Sequence, residues 1–530
     1  MISIKQDDPI YNVFMKVIKK HNKFQLINKK ESVSGNSLAI GNPGYGKTSG
    51  NKREVELRYE LGHKIFCLYD AGRMDMAYFC FPSVAPFWKI PKLENGKIIT
   101  SKKYPIELLY PITANIPKKL PFNGVPFTIG VSDLDDNDIV ALVGEGAKDT
   151  VKGALNFMKT KIDNNTTPLD YLNMMGLGLK KVDDLDNIKP SHFGIKKLKS
   201  DVLLPMINEG LLSSTNSDTA LDIREKIKDN KTISVLVLRH CPQQLWGFLV
   251  YFFLNHIFKI LAGFSEERML KQKTTITMNE AADLLATKDE TGSSSGSIKT
   301  MIGKIAKQYR TGSLYLVIDS QLPQELPDIK DTLTRLYIYN SSRVEVLKAM
   351  EMMGVSSKSS QINEDDHMII PRLPKGYYYL FDRNEGVSMH KLMLTRSRTY
   401  QDGEDFHDIY DNVYGKSSYK SIKEILDKLK QERERSEEIW EQRRNFKIQG
   451  QTQRQTQKRK QQSQEEFDEE IDNEEIYEEK IEIQQQKQEQ ILQQKTTIDV
   501  KTEIKKENKT ITPTRKITDW AAMKKIMNTI

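Results

Sequence analysis

Six short apolar runs punctuate an otherwise polar chain: "NSLAIG" (36–41), "KIFCLYD" (64–70), "ISVLVLR" (233–239), "TTITMNE" (274–280), "SLYLVID" (313–319) and "TRLYIYN" (334–340). Each is too short for a core helix and rich in β-branched or aromatic residues, which predicts strands. Longer segments with helical spacing lie between most of them, among them "PQQLWGFLVYFFLNHIFKILAG" (242–263) and "SIKTMIGKIAKQYR" (297–310). Strands alternating with helices predict an α/β fold with a mainly parallel central sheet covered on both faces. Residues 82–230 break the alternation with proline-containing loops and helical stretches, and are expected to form an inserted, mostly helical subdomain. The core is then discontinuous, over 31–81 and 231–395, after an N-terminal segment of 1–30.

The apolar segment within 242–263 is nearly long enough to cross a bilayer. It contains Asn255, His256 and Lys259 and lies between two expected core strands. It therefore reads as a helix buried against the sheet, apolar nearly all round, and no transmembrane span is expected. Beyond 395 the pattern changes. "YKSIKEILDKLKQERERSEEIWEQRRNF" carries Ile422, Ile425 and Leu429 at helical spacing, so 396–449 is expected to be a helical extension. From 450 to 530 the chain is a low-complexity tail rich in Gln, Glu and Lys, solvated helix, weak coiled coil or disorder. Its end, with Trp520, Met523 and Ile526, has the spacing of a short amphipathic helix that could dock on a protein partner.

Composition narrows the class. The 530 residues carry 80 Lys and Arg against 72 Asp and Glu, a formal charge of +8. Residues 451–530 hold 15 basic and 16 acidic side chains, so the positive charge resides upstream. A modestly basic folded region is compatible with a nucleic-acid partner. Cys67, Cys80 and Cys241 are far apart with no C-x-x-C pair, which fits a reducing compartment and offers no zinc framework. The first twenty residues lack an apolar signal core, so a cytoplasmic location is expected (virion or host cytoplasm for a viral protein).

The chemistry concentrates at "SLAIGNPGYGKTSG" (37–50), where Gly41, Gly46, Lys47 and Thr48 satisfy G-x-x-x-x-G-K-[ST]. A polyphosphate is held by a ring of inward backbone N–H groups, and glycines at 41, 44 and 46 permit that curl. The expected ATP contacts are Gly41, Asn42, Pro43, Gly44, Tyr45, Gly46, Lys47, Thr48 and Ser49. Lys47 would reach the β- and γ-phosphates, Thr48 Oγ1 would hold Mg²⁺, and the helix that follows would direct its positive end at the phosphates. Hydrolysis also needs a carboxylate to orient water. "TTITMNEAADLLA" places Asn279 and Glu280 after a strand, with Glu280 as expected base and Asn279 as an uncharged second metal position. Asp70 is another carboxylate at a strand end. Gln321, after "SLYLVIDS", is placed to contact the γ-phosphate or the water.

Together, and in this order, these pieces resemble the HerA/FtsK branch of P-loop motor ATPases, HerA most closely, over roughly residues 31–395. "AIGNPGYGKTSG" looks like the family's Walker A and "IFCLYDAGR" like its second strand with a terminal acid. "VSDLDDNDIVALVGEGAKDTVKGALNFM" is similar to the helical insertion that follows. "TTITMNEAADLL" resembles Walker B with Asn in place of Asp. "IAKQYRTGSLYLVIDSQLPQELPDI" is similar to the arginine-bearing helix end, the next strand and the Gln-x-Pro segment. The group includes conjugative coupling proteins and viral packaging ATPases. The resemblance implies a RecA-like core, ATP and Mg²⁺ as ligands, and a homohexameric ring that moves double-stranded DNA without reading sequence. It also implies an arginine supplied to the neighbouring subunit's site, Arg310 first and Arg335 second. The loop "TKDETGSSSGSIKT" (287–300), ending near Lys299, could line the pore. Three departures stand out: Asn279, no room for the N-terminal barrel of cellular relatives, and the Q/E-rich tail. Two further readings stay open, an ATP-binding scaffold that hydrolyses little because of Asn279, and a coupling or packaging ATPase activated by a partner.

Overall fold

A computed structural model of the chain describes residues 35–83, 101–141, 162–172, 203–263, 272–286 and 294–442, except 328, 330–331, 353–367, 384–385, 392–394, 402 and 440. Ten strands form one sheet: β1 (Asn36–Ile40), β2 (Lys64–Tyr69), β3 (Ile106–Pro111), β4 (Gly124–Phe127), β5 (Ile233–Leu236), β6 (Thr274–Met278), β7 (Leu314–Ser320), β8 (Leu333–Ile338), β9 (Tyr377–Asp382) and β10 (Gly386–Lys391). Their spatial order is β10-β9-β8-β1-β7-β6-β2-β5-β3-β4. All pairings are parallel except β8 with β9 and β9 with β10. The fold is thus α/β with a mostly parallel sheet and a P-loop after its first strand.

The central strands are buried along their whole length, as a sheet covered on both faces requires. Their side chains alternate between two apolar clusters. Phe66 and Leu68 of β2 join one, with Ile276, Leu316 and Ile318. Ile65 and Cys67 join the other, with Leu108, Val235 and Val317. Helices α1 (Lys47–Glu60), α2 (Asp136–Ala141), α3 (Trp246–Ala262), α4 (Ala281–Ala286), α5 (Ser294–Gly312) and α6 (Phe406–Tyr414) flank the strands. Helix α3 has the length and apolar composition of a membrane span, but Phe248, Leu249, Phe252, Phe253 and Ile257 pack within the first cluster. That is the buried helix expected from its position between strands.

Of residues 82–230, expected as a mostly helical insertion, the structure describes 82–83, 101–141, 162–172 and 203–230. Among the described residues they supply β3 and β4, which pair in parallel with the core through β5. The strand "IELLYP" has an acid in its second position and a proline at its end, and this hid its apolar alternation. Asp133, Asp135 and Asp138 follow at the start of α2, where Asp138 meets Asn255 and His256 of α3. The described part of the C-terminal extension packs on the same body. Phe406 and Tyr410 of α6 join Tyr78 and Phe81, the strand Tyr419–Ser421 pairs with Lys119–Pro121, and a helix runs from 423 to 439. The expected segments 1–30 and 450–530 lie outside the described residues.

Helix α1 is held by charge rather than by an apolar stripe. Its residues Lys52, Arg53, Glu54, Glu56 and Arg58 are all buried. Glu54 takes Arg58 at 2.5 Å and the Ser37 hydroxyl at 2.9 Å, while Arg58 also donates to the Gly35 carbonyl at 2.8 Å. Glu56 accepts from the backbone N–H groups of Arg396 and Ser397 at 2.9 and 2.8 Å and from the Ser397 hydroxyl at 2.6 Å. Lys52 donates to the Arg398 carbonyl. Both carboxylate oxygens of Glu56 are paired, and these contacts tie α1, and with it the glycine loop, to one position.

Candidate nucleotide-binding site

The sheet topology brings the chemistry to one edge. Register places Ile40 beside Ser320, Ile318 beside Met278, and Met278 beside Tyr69. The residues just past β1, β6 and β2 are therefore Gly41, Asn279 with Glu280, and Asp70, while β7 ends in Asp319 and Ser320. Strands that are distant in sequence thus end in a row at their C-terminal edge, where ligands of open α/β sheets bind.

The glycine loop curls as its composition demands. Gly41, Gly44 and Gly46 have φ of 148°, 75° and 109°. A Cβ on Gly41 would lie 2.7 Å from the Tyr339 Cβ, so this position excludes a side chain as well as requiring the conformation. Gly46 caps α1, and Thr48 and Ser49 lie in its first turn, half-buried. Asn42 anchors the loop from the far side. Its N–H donates to the Asn340 carbonyl at 2.7 Å and its amide to Asn340 Oδ1 at 2.8 Å. Pro43 is exposed, and Tyr45 packs on the cluster of Tyr337, Tyr339 and Tyr378.

Lys47 is buried. Its ammonium donates to the Gly41 carbonyl at 2.7 Å and the Asn42 carbonyl at 3.3 Å, and lies 3.6 Å from Glu280 Oε1. Glu280 has a left-handed backbone, φ 51°, which costs a non-glycine residue about 1–3 kcal/mol. Asp319 holds it there by accepting the Glu280 N–H at 2.5 Å. Asp319 is fully buried, and burial with the nearby Glu280 carboxylate raises its pKa above the usual carboxylate range. Asp319 is a site residue beyond those expected from the motifs. Its signal was a single acid inside an otherwise apolar strand, where a charge persists only with a partner or a task.

Asn279 fixes its backbone to Tyr69, donating its N–H to that carbonyl at 2.8 Å. Both polar atoms of its buried amide are without a hydrogen-bond partner, as is Asp319 Oδ2. Orphaned buried oxygens of this kind fit a hard cation or its water shell, since amide and carboxylate oxygens are donors Mg²⁺ accepts.

Asp70 closes β2, and burial raises its pKa to about 7, with a further push from Asp75, against the hydrogen bonds it receives from Met76 and Gly72. A raised carboxylate favours folding fully below about pH 4, and that contribution is lost as pH climbs through about 7. Asp70→Asn lacks this loss. Its stability relative to the unsubstituted chain should rise by on the order of 2–4 kcal/mol between pH 4 and pH 8, read from urea midpoints at both pH values. Parallel pH slopes for the two chains would refute the assignment.

The remaining expected residues divide. Gln321 follows β7, the strand paired with the P-loop strand, and is half-buried. Arg310 lies near the end of α5, and its side chain is outside the described part. Arg335 lies on β8, is buried and donates from Nε to Asp382 at 2.9 Å. It is therefore built into its own sheet. An alternating strand turns every second residue inward, and the sequence around "TRLYIYN" does not say which. Lys299 is also not in a loop. It sits on α5, 3.4 Å from Glu325, and residues 287–293 lie outside the described part.

No family model and no curated protein matches the chain. Solved structures that it resembles include the bacterial conjugative coupling protein TrwB, with a TM-score of 0.43 and 11% identity, covering 69% of this chain and 86% of that one. VirB4 of Thermoanaerobacter pseudethanolicus gives a TM-score of 0.42 and 12% identity, covering 68% and 89%. The genome packaging NTPase B204 from Sulfolobus turreted icosahedral virus 2, in complex with ATP-gammaS, gives 0.21 and 14%, covering 33% and 73%.

Proposed function

We propose that this chain is an ATP hydrolase that couples hydrolysis to movement of double-stranded DNA, in DNA transfer, processing or genome packaging. The observation that carries the hydrolase reading is the approach of the Lys47 ammonium to Glu280 Oε1, 3.6 Å, across two strands that are remote in sequence. In the reaction, a water oxygen bonds to the γ-phosphorus as the bond to the β-bridging oxygen breaks. Glu280 aligns that water and takes its proton, and Lys47 offsets charge on the phosphate oxygens. Mg²⁺, when bound, neutralises phosphate charge, and Thr48 and Asn279 would hold it. Gln321 would couple the γ-phosphate to subunit motion, and Arg310 would complete the neighbour's site in a homohexameric ring. The DNA and ring parts of this reading rest on the sequence resemblance and the basic charge of the folded region. A docking role for the tail belongs to the same proposal.

The orphaned amide of Asn279 favours a second reading, an ATP-binding assembly scaffold with weak turnover. An amide can order a metal-bound water but brings no charge. The experiment is steady-state ATP hydrolysis by the full chain with Mg²⁺, with and without linear duplex DNA. Stimulation by DNA of about tenfold or more is expected for a motor. Activity absent with DNA but created by Asn279→Asp would replace the motor with the scaffold. Low activity that rises only when a partner protein is added would favour a coupling or packaging ATPase switched on by that partner.

A further inference from the structure

The P-loop has two sides in this sheet, and they differ. The strands β7, β6 and β2 lie on one side of β1 and carry Asp319, Glu280, Asn279 and Asp70. The strands β8 and β9 lie on the other and carry no acid at this edge comparable to that row. Between them the chain runs through residues 370–376, "IPRLPKG", before entering β9. This segment is fastened to the glycine loop. The Gly376 N–H donates to the Tyr45 carbonyl at 3.2 Å. The Asn340 amide donates to the carbonyls of Pro371 at 2.7 Å and Leu373 at 3.2 Å, while its Oδ1 receives Asn42. The same asparagine thus holds the glycine loop and the crossing segment together. Lys375 is exposed, and its ammonium lies 3.8 Å from where a Cβ of Gly44 would stand.

A nucleoside triphosphate held by the loop has one polar direction. Its hydrolysed end must face the carboxylate that readies water, so it points toward the β7–β6–β2 side. The nucleoside end then faces the opposite side, where the 370–376 segment crosses. We infer that this segment is the nucleoside-side wall of the site, and that Lys375 is a nucleotide-retaining cation that binds the part of the nucleotide common to ATP and ADP, its α- and β-phosphates next to the ribose. The inference rests on the nucleotide reading above and assigns the site a second lysine with a different task. Lys47 serves the phosphate that is transferred, whereas Lys375 serves retention of substrate and product alike.

The test measures equilibrium binding of fluorescent ATP and ADP analogues, with inorganic tripolyphosphate as competitor, and steady-state kinetics. Lys375→Ala should weaken ATP and ADP by a similar factor, about tenfold for one charge-assisted contact. It should raise KM with kcat held within about twofold, and weaken tripolyphosphate by about the same factor as ATP, because the contact is to phosphate. Lys375→Arg should restore most of the affinity. The side chain is exposed, so an unchanged Tm shows that the fold is intact. Unchanged affinities in Lys375→Ala, or a loss confined to ATP, would overturn the inference. Unchanged tripolyphosphate affinity would do so too, by moving the contact off the phosphates. Lys47→Ala in the same assay separates the two failures. If it loses ATP binding while Lys375→Ala does not, only the wall assignment falls. If Lys47→Ala binds ATP as the unsubstituted chain does, the nucleotide site itself is lost.

Discussion

Lys47→Ala is expected to bring ATP hydrolysis down by at least about a thousandfold, with nucleotide affinity falling alongside it. Removing a single preorganised donor from a site that stabilises developing charge costs about 10²–10³ in turnover, and this lysine does more than donate. Its ammonium holds the Gly41 and Asn42 carbonyls and stands between the loop and Glu280. Without it, Glu280 is left as a buried acid beside Asp319, with no cation to offset either. The variant should therefore also lose stability at alkaline pH, by about 1–3 kcal/mol, the cost of leaving a buried polar group unmatched. Turnover like that of the unsubstituted chain would defeat the hydrolase assignment. Thermal melts at pH 6 and pH 8.5, run beside the activity assay, separate a folded, inactive protein from an unfolded one.

Glu280→Gln should behave in the opposite way toward binding. The amide keeps the shape of the side chain and loses only the charge and the capacity to take a proton. General-base catalysis contributes about 10²–10⁴ in rate, so kcat should fall by about that factor while ATP affinity stays within about threefold. The backbone contact with Asp319 is made by the Glu280 N–H and survives the exchange. Removing one of two neighbouring acids relieves repulsion, while the contact with Lys47 is weakened, so stability should change by less than about 1 kcal/mol. The measurement is single-turnover hydrolysis with a binding isotherm on the same preparation. An unchanged kcat would take Glu280 out of the role and pass it to Asp319 or Asp70, the next buried carboxylates at the same edge.

The two substitutions differ because each acts on a different link. Lys47 belongs to local sequence, fixed by the loop that it closes. Glu280 belongs to the fold, and reaches the loop only because β6 and β1 flank β7. The glycine pattern, the strand before it and the helix after it were legible because each depends on residues within a few positions. The same holds for α3, whose apolar surface between two strands has only one place to go in a compact sheet. The surroundings of Arg335 and Lys299 are not legible in the sequence, for a common reason. A charged side chain has the same appearance in sequence whether it ends in solvent or on a buried carboxylate, and its partners, Asp382 and Glu325, are supplied by other elements. The β3–β4 pair is not legible in the sequence because short strands inside a long connection are stabilised by the sheet edge they join, not by their own pattern.

By itself, the sequence determined that this chain carries a phosphate-type loop between a buried strand and a helix, in an alternating α/β chain with a polar tail. Backbone freedom at Gly41, Gly44 and Gly46 and the alternation of apolar runs are local properties, and local properties are written in order along the chain. Only the tertiary structure decided that Asp319 pins the backbone of Glu280, that Asn279 has no partner for its buried amide, and that α1 is held by Glu54, Glu56 and Lys52 rather than by apolar contacts. Each of those depends on which strands become neighbours. Strand order is set by the burial of two whole sheet faces at once, a sum over the entire core that no short stretch of residues contains.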